Sequence, residues 1–291
     1  MGMRHIILFL VVAFACGASA LAQVDPQTKA RQEALLNCRA TYHGPPRIGE
    51  RMDIHKLIAQ LVQLKADHYN FLIHKEDSDW EDLQLFLPVA KEKGIKVWVS
   101  VAPPSKPGGR FSFPFQQDYV RWAQELARLS LQHANLVAWG MDDFSHNEQV
   151  FTRPYTVQVI EGARQINPKL AFVPTVYYKH ATRPAFAQTY VGLFDGVLFP
   201  YRAESGGRDL IDFTRVGDEV RRLRELLPGT IIVLDVYSSR HSELGESTPD
   251  YVRQVMVAGK QHADGVTVYR HPEPGTPKWH VVEELFHQWA R

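Results

Sequence analysis

Eight short runs of β-branched and aromatic residues alternate with longer segments of helical periodicity, from about residue 36 to the end of the chain. This alternation is the strongest constraint on the fold, because repeated strand and helix units build a parallel sheet that is covered by helices. No linker or low-complexity tract interrupts it, so we predict one domain. The predicted strands are residues 37–42, 69–74, 96–102, 136–141, 171–177, 196–201, 231–237 and 265–269.

Helices are predicted between these strands. Asp, Ser and Thr residues near several helix starts are suitable N-caps, and Gly94 and Gly229 are suitable stops. Eight strand-helix units in this length predict an α/β fold of the (β/α)8 TIM-barrel type; a doubly wound open sheet is the alternative. No GxGxxG or P-loop motif is present. The predicted helices are residues 53–65, 80–93, 118–133, 154–166, 210–227, 249–262 and 278–290.

The N-terminus has the pattern of a cleavable signal peptide over residues 1–22. A short basic start precedes the apolar segment 6–15, and Ala20-Leu21-Ala22 offers a small-x-small cleavage site. That segment is shorter than the roughly 20 residues a membrane-spanning helix needs. We therefore expect a secreted or periplasmic protein whose mature domain is residues 23–291, with no membrane partner. Removal of the signal peptide would also remove Cys16 and leave Cys38 without an intramolecular disulfide partner. A lipoprotein anchor at Cys16 is the less favoured alternative.

Charge and motifs argue against several classes of partner and cofactor. The formal net charge is only +1 and no basic block occurs, so we expect no nucleic-acid partner. Histidines lie near several strand ends, but neither an HxH after the first strand nor an HExxH motif occurs. No metal and no other cofactor is therefore predicted. The absence of a GxSxG motif argues against a serine hydrolase.

Polar and aromatic residues follow nearly every predicted strand. In a barrel these strand ends meet at one mouth, where catalytic residues are expected. Asp142 and Asp143 follow the fourth strand, and each carboxylate disfavours ionisation of the other, so we expect one of their two pKa values to be raised. Neighbours on an ideal strand point in opposite directions, so the chain must curl away from the sheet if both are to serve one site. Tyrosine recurs at the ends of five strands, at positions 42, 177, 201, 237 and 269.

Four strand-end motifs resemble, in order, those of glycoside hydrolase family 84, the O-GlcNAcase and bacterial β-N-acetylglucosaminidase family, and a fifth, after the seventh strand, resembles that family's more faintly. The resemblance is that of a distant relative and covers roughly residues 38–240. The motif Asp142-Asp143-Phe144 resembles the family's Asp-Asp-Ile. The other four are Tyr42-His43-Gly44-Pro45-Pro46 (Tyr-Gly-Arg-Pro-Trp), His74-Lys75-Glu76-Asp77 (Pro-Lys-Asp-Asp), Pro174-Thr175-Val176-Tyr177 (Pro-Thr-Glu-Tyr) and Leu234-Asp235-Val236-Tyr237 (Trp-Asp-Asn-Tyr).

The resemblance implies a carbohydrate substrate and a retaining, substrate-assisted glycosidase. The 2-acetamido oxygen of the sugar attacks its own anomeric carbon, so two carboxylates suffice. Asp142 would hold the acetamido group and Asp143 would be the general acid/base. The substrate-binding residues implied are Gly44, Lys75, Tyr177, Tyr201, Asp235 and Tyr237.

Ordinary structural roles compete with these assignments. Lys75 could pair with Glu76 or Asp77, and Tyr177 could simply cover the top of the barrel. Asp235 could cap the following helix or pair with Arg202 or Arg240. The default interpretation of Arg202 with Glu204, and of Arg270 with His271, is an exposed polar pair at the mouth.

The sequence departs from the family pattern at three places. The Glu of Pro-Thr-Glu-Tyr is Val176, the Asn of the seventh-strand motif is Val236, and Phe199-Pro200-Tyr201 replaces Trp-Thr-Gly. A site that has lost an amide hydrogen-bonding to sugar hydroxyls would recognise N-acetylglucosamine less well. Two alternatives therefore stay open: a conventional glycosidase with Asp143 as acid and Asp235 as nucleophile, and a non-catalytic carbohydrate-binding barrel.

Overall fold

The computed structural model describes residues 25–74, 76–105 and 111–290, so the predicted signal peptide, Cys16 and Lys75 lie outside the described residues. Eight parallel strands form one sheet, and a short antiparallel hairpin of β2 (Arg47–Ile48) and β3 (Arg51–Met52) lies outside it. The strands of the sheet are β1 (Arg39–Tyr42), β4 (His68–Ile73), β5 (Lys96–Val101), β6 (Leu136–Met141), β7 (Ala171–Phe172), β8 (Gly196–Pro200), β9 (Ile231–Tyr237) and β10 (Gly265–Tyr269).

The sheet curls into a nearly closed barrel. Its strand order is β7-β6-β5-β4-β1-β10-β9-β8, so each strand lies beside its neighbour in the chain and β1 pairs with β10. Past the end of β7 the extended chain continues the closure, because Leu198 N donates to Pro174 O at 3.0 Å and Val176 N donates to Leu198 O at 2.9 Å. This order confirms the (β/α)8 barrel and excludes the doubly wound open sheet.

Helices surround the barrel, and the seven predicted ones are all present. The helix α1 and the short α6 and α7 were not expected from the sequence. The helices are α1 (Pro26–Glu33), α2 (Ile54–Leu64), α3 (Asp79–Glu92), α4 (Tyr119–Gln132), α5 (Arg153–Arg164), α6 (Tyr178–Ala181), α7 (Pro184–Tyr190), α8 (Val216–Leu226), α9 (Pro249–His262) and α10 (Pro277–Trp289).

Two apolar clusters fill the fold. The inner cluster lies within the barrel and includes Trp98, Leu198 and Val233, whereas the outer cluster lies between strands and helices. The alternation of side chains along each strand sends successive residues into these two clusters. The segment after α1 seals the N-terminal end of the barrel with Leu35, and the buried Arg31 holds α1 in place through Asp195 at 2.7 Å.

Cys38 is buried in the inner cluster, and burial raises the pKa of its thiol to about 12. None of the helices within the described ranges combines the length and apolar character that crossing a membrane requires.

Candidate active site

Asp142 and Asp143 lie where β6 gives way to a turn. Asp142 stays in register with the sheet, since its N–H donates to Val101 O at 3.0 Å. Asp143 adopts a left-handed conformation with φ 47° and ψ 32°, and the 3-10 turn Phe144–His146 follows it. Because this turn takes the chain out of the strand, the two adjacent carboxylates line the same cavity.

The cavity lies at the carboxyl ends of the barrel strands and has a volume of about 360 Å³. That volume is within the range of small-molecule sites. Five of the eight residues predicted to form the site are brought together here, namely Asp142, Asp143, Tyr177, Asp235 and Tyr237. The remaining walls are formed by Tyr42, Thr175, Pro200, Arg240, His241, Ser242, Tyr269 and Arg270.

The Tyr177 hydroxyl donates a hydrogen bond to Asp143 Oδ1 at 2.6 Å. Burial, followed by the charges of nearby groups, raises the pKa of Tyr177 well above its usual value, so the hydroxyl keeps its proton. The imidazole of His146 stacks on the Tyr177 ring, with 4.4 Å between the ring centroids. Tyr177 therefore holds the Asp143 carboxylate in one orientation, and His146, in the 3-10 turn, holds the Tyr177 ring.

Arg202 packs over the Tyr177 ring, with its guanidinium carbon 4.1 Å from the ring centroid. It also forms an ion pair with Glu204, and the side chains of both residues are buried. The expectation of an exposed pair is therefore wrong for Arg202 and Glu204. The backbone N–H of Lys179 donates to Glu204 Oε2 at 2.9 Å, which fixes the carboxylate from a second direction. The sequence did not reveal that Arg202 and Glu204 support the Tyr177 ring, because these two residues are 25 and 27 positions away from Tyr177 along the chain.

Asp235 contributes a buried carboxyl group to the cavity. Its side-chain oxygen Oδ1 has no hydrogen-bond partner among the described residues, so it neither caps a helix nor pairs with Arg202 or Arg240 through this atom. Burial, and then the negative charge of Asp142, raise the pKa of Asp235 well above its usual value. An acid with a raised pKa is thus present in the cavity, on β9.

Three tyrosines form an aromatic wall. The rings of Tyr42 and Tyr237 lie on either side of Tyr269 in the barrel order, with centroid distances of 5.3 and 5.2 Å to it. The Tyr42 hydroxyl is buried and has no hydrogen-bond partner among the described residues. Tyrosine at strand ends was the sequence signal for this wall, and four of the five such tyrosines line the cavity.

Tyr201 and Gly44 are placed elsewhere. The neighbouring Pro200 faces the cavity, so strand alternation sends Tyr201 into the outer cluster, where its hydroxyl donates to Asp212 O at 2.7 Å. Gly44 has a φ of 69° and lines a separate cavity of about 220 Å³. Neither Gly44 nor Tyr201 lines the cavity that contains Asp142 and Asp143, so the geometry does not support their predicted roles in substrate binding.

The two valines that depart from the family pattern also lie away from the cavity. Val176 and Val236 are fully buried in the outer cluster, where alternation along the chain places them. Asp235 and Tyr237, on either side of Val236, face the cavity instead. Neither valine side chain therefore forms part of the cavity wall.

No protein-family model and no curated protein matches the chain. Solved structures match its fold. A GH18 chitinase from Pseudoalteromonas aurantia aligns with a TM-score of 0.59 and 11% identity over 86% of this chain and 98% of the chitinase chain. A GH2 β-galacturonidase from Eisenbergiella tayi aligns with a TM-score of 0.59 and 13% identity, over 87% of this chain and 51% of that chain.

A β-D-glucuronidase from Dictyoglomus thermophilum aligns with a TM-score of 0.56 and 12% identity, over 88% of this chain and 50% of that chain. The chain shares the barrel fold of these glycosidases. It spans about half the length of the β-galacturonidase and the β-D-glucuronidase. At such low identity, these likenesses concern the fold alone.

Proposed function

We propose that this protein is a glycoside hydrolase that cleaves 2-acetamido glycosides of the N-acetylglucosamine type by a retaining, substrate-assisted reaction. The observation that carries the proposal is the meeting of Asp142, Asp143 and Tyr177 in one cavity at the carboxyl ends of the strands, the usual place of catalytic residues in barrel enzymes. The chitinase, β-galacturonidase and β-D-glucuronidase of the same fold support a carbohydrate substrate. The family 84 resemblance supports the finer assignment.

In the proposed reaction, the 2-acetamido oxygen attacks the anomeric carbon while the glycosidic C–O bond breaks. Asp142 accepts a hydrogen bond from the acetamido N–H, and so stabilises the positive charge that the amide gains. Asp143 gives its proton to the departing oxygen. Water then opens the oxazoline with Asp143 taking its proton, which returns the acid to its starting state and retains the anomeric configuration.

Tyr177 is proposed to position Asp143, because its hydroxyl bonds directly to that carboxylate. Asp235 and Tyr237, which lie on β9, are proposed to bind sugar hydroxyls. The contact of Lys75 with the sugar stays a prediction from the family resemblance.

Asp235 is less suited to the conventional role of nucleophile. A nucleophilic carboxylate must be ionised, whereas burial and the charge of Asp142 raise the pKa of Asp235 and favour its neutral form. A neutral carboxyl group can both donate and accept hydrogen bonds, which suits recognition of a sugar hydroxyl. The neutral form of Asp235 therefore favours the substrate-assisted reaction over the two-carboxylate alternative.

The first test is hydrolysis of an aryl N-acetylglucosaminide by the mature protein. Asp143→Asn should abolish turnover and leave the unfolding midpoint unchanged, because the amide keeps the shape of the side chain but has no proton to give. Asp218→Asn, on the exposed face of α8, is the matched control and should retain full activity. Undiminished turnover of the Asp143→Asn variant would overturn the assignment of the acid.

A thiazoline that mimics the oxazoline tests the mechanism separately. It should inhibit far more strongly than N-acetylglucosamine, because a transition-state-like ligand uses the contacts that form during the reaction. Equal affinity for the two compounds would contradict substrate assistance. Sugar binding without turnover of any glycoside would instead identify a non-catalytic carbohydrate-binding barrel.

A further inference from the structure

A second cavity adjoins the first and lies among the loops after β9 and β10, the seventh and eighth strands of the barrel. It has a volume of about 640 Å³. Arg240 and Arg270 line both cavities, so these two arginines form a shared wall. A ligand that fills the first cavity can therefore extend past the arginines into the second.

Two helices begin at this second cavity. Thr248 and Pro249 at the start of α9, and Thr276 and Pro277 at the start of α10, are part of its lining. The helices have 14 and 13 residues. Their N-termini carry partial positive charge and therefore favour an anion.

A buried hydroxyl group also points to a ligand here. Ser247 lines the second cavity and is only 1% exposed, yet its Oγ has no hydrogen-bond partner among the described residues. A buried polar group without a partner costs free energy, which a hydrogen bond to a bound group would recover. The hydroxyl of Ser239, half-buried in the same lining, also lacks a partner in the described part of the chain.

The charges of the lining favour an anion as well. Arg240 and Arg270 form no ion pair with any described residue, whereas Lys278 is neutralised by Glu246. Glu273 is the remaining acidic residue of the lining and is exposed. Arginine is suited to carboxylate and sulfate groups because its planar guanidinium can donate two parallel hydrogen bonds.

We propose that the second cavity is an anion-binding subsite, and that the substrate is an acidic glycan in which the sugar beside the cleaved 2-acetamido sugar carries a carboxylate or a sulfate. Arg240 and Arg270 bind this group where the two cavities meet, Ser247 supplies a further donor, and the N-termini of α9 and α10 contribute their partial positive charge. This assignment of the substrate class rests on the proposed glycosidase function. It concerns a region that the catalytic residues do not occupy.

Binding of monosaccharides to the mature protein tests the subsite without catalysis. In calorimetric titrations, D-glucuronate, D-glucose 6-sulfate or both should bind, and neutral D-glucose, which differs from them only in lacking the anionic group, should bind far more weakly. The stronger of the two acidic ligands tells whether the recognised group is a carboxylate or a sulfate. Arg240→Gln and Arg270→Gln should each weaken that binding about tenfold to a hundredfold, the usual effect of losing a hydrogen bond to a charged group.

Arg222→Gln is the matched control, because Arg222 lies on α8, where it pairs with Glu225 on the surface. It should bind the acidic ligand as the unmodified protein does. Ser247→Ala should weaken binding less than the arginine variants, since it removes one neutral hydroxyl. Equal binding of glucose and the acidic ligands, or unchanged binding in both arginine variants, would overturn the subsite.

Kinetics separate this proposal from the glycosidase proposal. An acidic disaccharide should have a higher kcat/KM than its neutral counterpart, and Arg270→Gln should lower the ratio of the two values. If no 2-acetamido glycoside is cleaved but acidic ligands still bind through the arginines, the anion subsite stands and the proposed reaction fails. If both disaccharides are cleaved equally well and no acidic ligand binds, the reaction stands and the subsite fails.

Discussion

A single hydroxyl group connects Tyr177 to the proposed acid Asp143. Tyr177→Phe removes the 2.6 Å hydrogen bond and keeps the ring that packs against His146 and Arg202. We expect kcat to fall about tenfold to a hundredfold, because the carboxylate loses a donor that fixes its orientation.

Steady-state kinetics with an aryl N-acetylglucosaminide measures this effect. Tyr178→Phe is the matched control, since Tyr178 is the next residue and does not line the cavity. An unchanged kcat in the Tyr177→Phe variant would show that Asp143 needs no such support.

Asp235 should reduce the stability of the folded protein as the pH rises. Burial and the charge of Asp142 raise its folded pKa well above 3.8, the value for an unperturbed aspartate. The unfolded chain therefore releases this proton at lower pH than the folded protein does. The contribution of Asp235 to the free energy of unfolding is therefore at its maximum below pH 3.8, and it declines as the pH increases toward the pKa of the folded protein.

Asp235→Asn should remove this pH dependence, because the amide does not ionise. Urea denaturation at pH 4 and pH 7.5 measures the free energy of unfolding of both proteins. From pH 4 to pH 7.5, the free energy of unfolding of the variant should increase relative to that of the unmodified protein. The turnover of the variant should fall if Asp235 binds a sugar hydroxyl. A difference that does not change with pH would contradict the raised pKa.

At the level of elements, Gly140 allows β6 to approach the chain that follows β7. A Cβ atom at this position would lie 2.0 Å from Val173 O. The contact is with backbone, so neither side can move aside without breaking the hydrogen bonds that continue the sheet, such as Val173 N to Trp139 O at 2.8 Å. We expect Gly140→Ala to cost about 3 kcal/mol of stability or more.

Gly162→Ala is the matched control. Gly162 lies within α5, and a Cβ atom there would meet its nearest neighbour, Val120 Cγ1, at an ordinary 3.5 Å. Alanine is the better helix former, so this variant should gain up to about 1 kcal/mol. Urea denaturation of both variants measures the contrast, and equal stabilities would show that the close approach at Gly140 is relaxed without cost.

The sequence predicted most elements well because their periodicity is local. Residues 136–141, 231–237 and 265–269 are strands with the predicted bounds, and α9 has the predicted bounds of 249–262. The fifth strand was predicted as 171–177 but pairs regularly only over Ala171–Phe172, because Pro174 has no N–H to continue the ladder. Helix α1 was missed since its residues are almost all polar, which gives no apolar face to recognise.

For the whole molecule, the eightfold alternation was enough to predict the barrel, and the barrel in turn placed the strand ends at one mouth. It could not predict which side chains at those ends face inward. Tyr201 follows the last residue of β8 and Tyr237 is the last residue of β9, yet only Tyr237 faces the cavity. Which of two successive residues faces inward depends on the register of each strand in the sheet. The buried Arg202-Glu204 pair and the second cavity depend on loop positions, for which the sequence has no periodic signal.

His271 follows the last strand of the barrel, β10, and contacts the first strand, β1, and the helix α2. It should therefore make the stability of the whole domain depend on pH. Its Nδ1 lies 3.0 Å from the Thr41 hydroxyl on β1, and its Nε2 lies 2.8 Å from Gln60 Oε1 on α2. The amide oxygen of Gln60 accepts, so Nε2 carries the proton and the neutral ring satisfies both partners. Burial lowers the pKa of His271 from 6.5 to about 4.

As the pH falls through 6.5, the unfolded chain takes up a proton at His271 while the folded protein does not. The stability from this residue is therefore complete above pH 6.5 and declines until the folded pKa near 4 is reached. Between pH 7.5 and pH 5 the loss should be about 2 kcal/mol. His271→Gln does not titrate, so urea denaturation should show a smaller loss for this variant over the same interval, whatever its absolute stability. Equal losses in the two proteins would mean that His271 is protonated in the folded barrel without disrupting its bonds to Thr41 and Gln60.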